Sequence, residues 1–236
     1  MHGLILAGGE GSRLRSDGIV APKPFVSLSG RPLLFRLGEV LYRLGCESVT
    51  AVVRRTALSE RDAMQVDQAS EGLRILPCET PSSLHTLAEG IAAMPPGPLL
   101  CTMVDSVMRE SDWRGLFVRA GVLLQAGADA CVAVTPFVDD EVPLYVATRP
   151  DGTVTRFQAE LAAPPLVTGG VYFLSSRVRD LAPRVLDLGI SRMRGFLQWL
   201  VEHGYQVQAV EVERIVDLDR SRDLAMAEAW LAQGAV

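Results

Sequence analysis

Three features of the sequence predict a three-layer α/β fold with a mostly parallel, doubly wound sheet. Short apolar runs alternate with amphipathic helical stretches through residues 1–135, as expected of strands joined by crossover helices. Those runs are apolar at consecutive positions, which suits strands covered on both faces. A glycine-rich loop directly follows the first run, at the edge where open α/β sheets take ligands. Residues 136–236 add a second half, which opens with a small antiparallel insertion, and the 236 residues read as one domain.

Taken in order, Leu4–Ala7 predicts a buried strand, and Pro32–Leu44 a helix with Leu33, Leu34, Leu37, Val40 and Leu41 on one face. Pro32 suits the helix start and Gly45 its end. Ser48–Val53 is the next strand, Ala57–Ala69 a polar helical crossover and Leu73–Pro77 a third strand. Ser82 or Ser83 is placed to cap a helix through Leu84, Leu87, Ile91 and Met94. Pro98–Val104 is a fourth strand ending on Asp105, followed by a helix over Trp113–Gln125 and a strand over Ala130–Val134.

From Val138 to Ser175 the texture changes to short β-like runs, Leu144–Thr148, Thr153–Phe157 and Val171–Leu174, separated by Asp-Gly and Pro-Pro turns. Helices near Val178–Leu188 and Gly195–Gly204 come next, then a strand over Gln206–Val212. A last helix over Ser221–Ala232 has Ser221 or Asp219 available as its cap.

The bulk composition excludes several classes. A net charge of −5 without a basic stripe argues against nucleic-acid binding. No apolar run approaches a membrane span, and the N-terminus enters a strand directly, so neither membrane insertion nor a signal peptide is expected. Cys46, Cys78, Cys101 and Cys131 are scattered without metal-binding spacing and read as reduced thiols of a cytoplasmic protein.

The chemistry concentrates near the N-terminus. Gly8, Gly9 and Gly11 let backbone N–H groups approach a phosphate without an intervening Cβ. Arg13, Arg15 and Lys23 add positive charge near the same place, the pattern of a triphosphate site. Neither common phosphate loop fits, since Gly11 is followed by Ser-Arg and Leu14 stands where a dinucleotide fingerprint needs glycine. Lys23 is the only lysine among 23 Lys and Arg residues, which suggests that a compact ammonium is needed there. Asp105, at the C-terminal end of a buried strand, is a candidate Mg²⁺ ligand, with Ser111 or Asp112 the better cap for the next helix.

The run Leu6-Ala7-Gly8-Gly9-Glu10-Gly11-Ser12-Arg13-Leu14-Arg15, with Pro22-Lys23-Pro24 and Gly30-Arg31-Pro32-Leu33, resembles the signature of the sugar-phosphate nucleotidyltransferases. The resemblance implies a Rossmann-like, GT-A-type sheet, with residues 1–135 as the nucleotide-binding half and 136–236 on the substrate side. It also implies transfer of NMP from an NTP to a small phosphorylated acceptor, chiefly a sugar 1-phosphate, with pyrophosphate leaving. A cytidylyltransferase for a non-sugar phosphate, or a non-catalytic nucleotide-sugar-binding regulator, is the alternative.

By the same resemblance Leu6, Ala7, Gly8, Gly9, Gly11, Ser12, Arg13 and Lys23 hold the nucleotide, with Ser82 and Ser83 near the base. Arg13, Lys23 and Asp105 carry catalysis, and Asp105 and Asp217 bind Mg²⁺, which leaves Asp219 to cap the last helix. Gly169, Gly170, Glu160 and Arg194 face the acceptor; Arg156 and Arg192 are further candidates there, because the family's Glu-Lys-Pro contact is missing around Phe157–Glu160. The chain is expected to lack the C-terminal extension that some relatives carry, and monomer and homodimer both remain open.

Overall fold

The computed structural model describes residues 1–58, 72–138, 142–158 and 166–233. Among the described residues of the first half, five strands build the main sheet: β1 (His2–Ala7), β4 (Val49–Arg54), β5 (Leu73–Cys78), β6 (Leu99–Met103) and β8 (Ala130–Thr135). Two short pairs lie between them, β2 (Ser27–Leu28) with β3 (Arg31–Pro32), and β7 (Ser106–Val107) with β13 (Val216–Asp217). The second half adds β9 (Tyr145–Thr148), β10 (Val154–Gln158), β11 (Val167–Leu174) and β12 (Val207–Glu211).

The main sheet runs β5-β4-β1-β6-β11, with β8 and then β12 beyond β11 and with β9 and β10 branching from it. All its pairings up to β6 are parallel, β11 runs antiparallel to both β6 and β8, and β12 is parallel to β8. From β1 the chain moves outward to β4 and β5, then crosses back to pair β6 on the other side of β1. The order therefore reverses between β1 and β6, and the loops leaving their C-terminal ends diverge to open a cleft.

Helices cover both faces. On one side α2 (Leu33–Arg43), α4 (Glu110–Gln125) and α8 (Ser221–Ala232) pack on Ile5, Ala7, Ala51, Val53, Cys131 and Phe173. On the other, α3 (Ser83–Ala92), α6 (Ala182–Asp187) and α7 (Met193–Glu202) pack on Leu4, Leu6, Val52, Cys101, Val132 and Tyr172. Alternate residues of each strand feed opposite cores, which is why the strands read as unbroken apolar runs. Each fully buried Leu or Phe contributes about 1.5–3 kcal/mol.

The structure departs from the sequence reading in four places. The helix expected from Trp113 begins at Glu110, because Glu110 and Asp112 sit favourably in its positive first turn. Ser111 and Asp112 therefore lie inside α4 and do not cap it; the N-cap position is Arg109. The single helix expected over Val178–Leu188 is two, α5 (Ser176–Arg179) and α6, with Pro183 in the first turn of the second. The strand expected from Val171 starts at Val167, so the glycine pair lies inside β11, at a register shift between Thr168 and Tyr172. Beyond Leu58, the expected 57–69 crossover falls outside the described residues.

Candidate active site

The cleft at the β1–β6 switch is a cavity of about 330 Å³ lined by Leu6, Ala7, Gly9, Gly11, Ser12, Arg13, Lys23, Asp105 and Asp219, among others. Of the predicted loop residues, Leu6, Ala7, Gly9, Gly11, Ser12 and Arg13 thus line it with Lys23 and Asp105, whereas Gly8 and Arg15 border other cavities. Gly11 is left-handed at φ 61°, at the N-cap of the short helix α1 (Ser12–Ser16) that carries Arg13. A Cβ on Gly11 would meet Lys23 Cβ at 3.1 Å, so loop and lysine are packed together. Among the described residues nothing lies within 4 Å of a Cβ on Gly9, whereas a Cβ on Gly8 would stand 2.8 Å from Thr86 Oγ1 and 3.0 Å from Thr80 Oγ1. Gly8 makes room for the buried Thr80–Thr86 hydroxyl pair, 2.7 Å apart, and Gly9 faces the cleft.

Asp105 follows β6 and is buried. The β7–β13 ribbon pairs Ser106 with Asp217, which brings the late acidic stretch beside it. Asp105, Asp217 and Asp219 present carboxylate oxygens that all lie within 4.8 Å of one another. Lys23 Nζ enters this group, pairing with Asp105 and, at 2.6 Å, with Asp219. Arg13 Nη1 pairs with the other oxygen of Asp219.

These contacts set the ionisation. Burial alone would lower the Lys23 pKa, but the charges of Asp105, Asp217 and Asp219 outweigh it and hold the ammonium above the ordinary lysine value. Burial, then the neighbouring Asp105, push Asp217 well above the usual carboxylate range, with Lys23 offsetting part of the rise. Burial also opposes ionisation of Asp219, yet direct contact with Lys23 and Arg13 carries its carboxyl below its usual value.

Asp217 Oδ1 is closed off from solvent and has no hydrogen-bond partner among the described residues. An orphaned carboxylate oxygen beside two further carboxylates is a donor set of hard oxygens that fits a divalent cation of the magnesium or calcium type.

Asp219 does not cap the last helix. The N-cap of α8 is Arg220, and the Asp223 carboxylate accepts from Arg220 N–H at 2.7 Å and from Asp219 N–H at 3.0 Å. Ser221 likewise is not the cap; its N–H donates to Asp17, at the end of α1, at 3.0 Å. The Asp219 side chain is thereby free to serve the cleft. Ser82 occupies the N-cap position of α3 but makes no side-chain cap bond; its hydroxyl donates to the Ser191 carbonyl and lies 2.9 Å from His85 Nδ1.

Two of the cavities bordering the first hold further candidate contacts. One, of about 350 Å³, lies between Gly8–Glu10, Arg54, Thr80–Ser83 and Thr86, where base contacts are expected. Arg54 was not visible as a site residue in the sequence; its Nε donates to the Gly8 carbonyl at 3.0 Å and its Nη1 reaches Glu79 at 3.4 Å. The other, of about 230 Å³, is lined by Ser83, Leu144, Thr168, Gly170, Tyr172, Arg192, Arg194 and Asp217. Met103 lines all three cavities. Gly170, at φ 78°, belongs to this wall, but a Cβ on Gly169 would stand 2.3 Å from Ile215, so Gly169 serves the packing of the 215–217 segment. Arg156 is exposed on β10 and does not line the cavity, and Glu160 lies outside the described residues.

Similarity to known proteins agrees with this geometry. An inositol-1-phosphate CTP transferase structure from T. maritima superposes with a TM-score of 0.76 over 100% of this chain and 97% of that one, at 16% identity, a likeness of fold. The mannose-1-phosphate guanylyltransferase catalytic subunit beta of Drosophila pseudoobscura pseudoobscura is 29% identical over 109 residues, 44% of this chain and 29% of the fly protein. The mannose-1-phosphate guanyltransferase of Pichia angusta is 42% identical over 53 residues, 22% of this chain and 15% of that protein. The chain thus matches less than a third of the length of either relative. The family model for the MobA-like NTP transferase domain matches residues 3–199, and the chain belongs to that family.

Proposed function

We propose that this nucleotidyltransferase moves an NMP group from an NTP to a sugar 1-phosphate, giving an NDP-sugar and pyrophosphate. The observation that carries the reading is the convergence of the glycine loop, Lys23, Asp105 and Asp219 on one cleft at the sheet's switch point, with the Asp217 carboxylate within 4.8 Å of the other two. The guanylyltransferase relatives support a sugar 1-phosphate as acceptor.

In this reading an acceptor phosphate oxygen attacks the α-phosphorus, the bond from that phosphorus to the bridging β-oxygen breaks, and pyrophosphate leaves in line. The work is positioning and charge neutralisation, with little proton transfer. Backbone N–H groups of the Gly8–Gly11 loop and the Arg13 guanidinium hold the β- and γ-phosphates. Lys23 balances charge growing around the α-phosphate. Asp105, Asp217 and Asp219 hold a divalent cation, proposed as Mg²⁺, which when bound supplies further neutralisation of phosphate oxygens. Arg192 and Arg194 line the adjoining cavity and are proposed to receive the acceptor's phosphate.

The test is pyrophosphate release with Mg²⁺, crossing four NTPs against sugar 1-phosphates and non-sugar phosphates. Turnover with a sugar 1-phosphate supports the proposal. Turnover confined to CTP and an alditol phosphate, phosphocholine or phosphonate would replace it with the cytidylyltransferase reading. NTP binding without turnover would favour a regulator.

A further inference from the structure

Helices α3 and α7 cap one another. The Met193 N–H, first in α7, donates to Ser83 Oγ at 3.0 Å. The Leu84 N–H of α3 donates to the Ser191 carbonyl at 3.2 Å, and Ser82 Oγ donates to the same carbonyl. Neither helix has a side-chain cap of its own at its N-cap residue, so these bonds satisfy amides that would otherwise be orphaned. The far end of α3 is fixed as well. Arg179, 2% exposed, donates to the carbonyls of Ile91, Pro95 and Gly97. The helix is thus held at both ends by the second half of the chain.

Arg192 and Arg194 flank Met193, the residue this clasp ties down. Both are exposed, both line the cavity beside Asp217, and neither forms an ion pair among the described residues. Long exposed arginines lose rotamer freedom when they grip an anion, so their reach depends on a fixed backbone beneath them.

We infer that Ser83 is a positioning residue for the phosphorylated acceptor: its hydroxyl fixes the Met193 backbone and so holds the Arg192–Arg194 pair over the acceptor cavity. This reassigns Ser83 from the expected nucleotide contact. The hydroxyl is committed across the cleft to the second half, even though the residue borders the nucleotide side as well. The inference rests on the proposed function, in that the cavity is taken to be the acceptor's.

The test is a double-mutant cycle on the whole chain, with pyrophosphate release read against mannose 1-phosphate, glucose 1-phosphate and inositol 1-phosphate. Ser83→Ala is expected to raise the acceptor KM about fivefold to tenfold, as loss of one hydrogen bond does, with the NTP KM within about twofold of wild type. Ser83→Thr keeps the hydroxyl and restores the acceptor KM. In an Arg194→Ala background, Ser83→Ala adds little, because the group it positions is gone. A raised NTP KM, or full additivity with Arg194→Ala, overturns the inference. If Arg194→Ala itself leaves the acceptor KM unchanged, or no acceptor turns over in the wild type, the acceptor reading of the cavity falls and this role falls with it. If Arg194→Ala raises the KM but Ser83→Ala does not, the clasp alone is refuted.

Discussion

Lys23 Nζ and Asp219 Oδ1 stand 2.6 Å apart although 196 positions separate them in the sequence. Both line the cleft, Lys23 from the short helical turn Lys23–Phe25 beyond α1 and Asp219 from the segment before α8. With Asp105 on the other side of the ammonium, one lysine joins three separate stretches of chain.

Replacing that lysine separates catalysis from folding. Lys23→Ala is expected to remain folded by circular dichroism, while kcat for pyrophosphate release falls by about 10²–10³. Lys23→Arg recovers only part of this, since a planar guanidinium does not fit where a compact ammonium sits between two carboxylates. Wild-type turnover in Lys23→Ala would remove the lysine from the mechanism.

Neighbouring glycines should give opposite results. Gly9→Ala meets open space, so its stability stays within about 0.5 kcal/mol of wild type, while the added methyl obstructs the cleft and raises the NTP KM. Gly8→Ala pushes into the locked Thr80–Thr86 pair and costs about 1–3 kcal/mol in a urea melt. Equal stability losses in the two variants would contradict the division of roles.

Asp223 never touches the cleft, yet it fixes the backbone of Asp219. Asp223→Ala leaves the Asp219 and Arg220 N–H groups without their acceptor, an expected loss of about 1–3 kcal/mol by denaturant titration, together with a lower kcat. Asp223→Asn keeps an acceptor oxygen and should lose less of both. An unchanged kcat in Asp223→Ala would show that Asp219 needs no such support.

Thiol chemistry gives a pH-dependent check on burial. Burial pushes Cys46 up to about 11 and Cys131 up to about 12, and raises Cys101 further, and all three are buried. Cys78 is half-buried, and burial followed by Glu89 raises its thiol more mildly. The thiolate is the reactive form, so a raised pKa slows reaction at neutral pH and the rate climbs as pH rises. A disulfide reagent should therefore titrate one thiol in the native protein, about tenfold faster at pH 8 than at pH 7, and four in denaturant. Rapid reaction of a second native thiol would contradict the packing around Cys46, Cys101 or Cys131.

Much of the sheet was legible because buried strands leave unbroken apolar runs, and Ser221–Ala232 was found to the residue. The glycine loop, Lys23 and Asp105 could be brought together on paper because a parallel strand places its following loop at a known edge. What stayed hidden depends on tertiary neighbours. Asp219 looked like a cap because Asp caps helices, but Asp223 from inside the first turn took that work, and the acid at the third helical position was the only hint. Ser82 and Ser83 carried a local capping signal that the fold spends on residues 191–193, more than a hundred positions away. Arg54 had no signal at all, since a strand-end arginine becomes a site residue only through the loop it faces.

The solitary lysine also fixes how the surface can be altered after synthesis. Acyl transfer to a lysine needs an accessible, neutral amine, and Lys23 is 9% exposed and held protonated by its carboxylate neighbours. Every other basic side chain that carries permanent charge is a guanidinium, which stays charged at any pH a cell reaches. Lysine acetylation, and any tag joined through a lysine amide, thus finds no foothold on the outer face of this sequence.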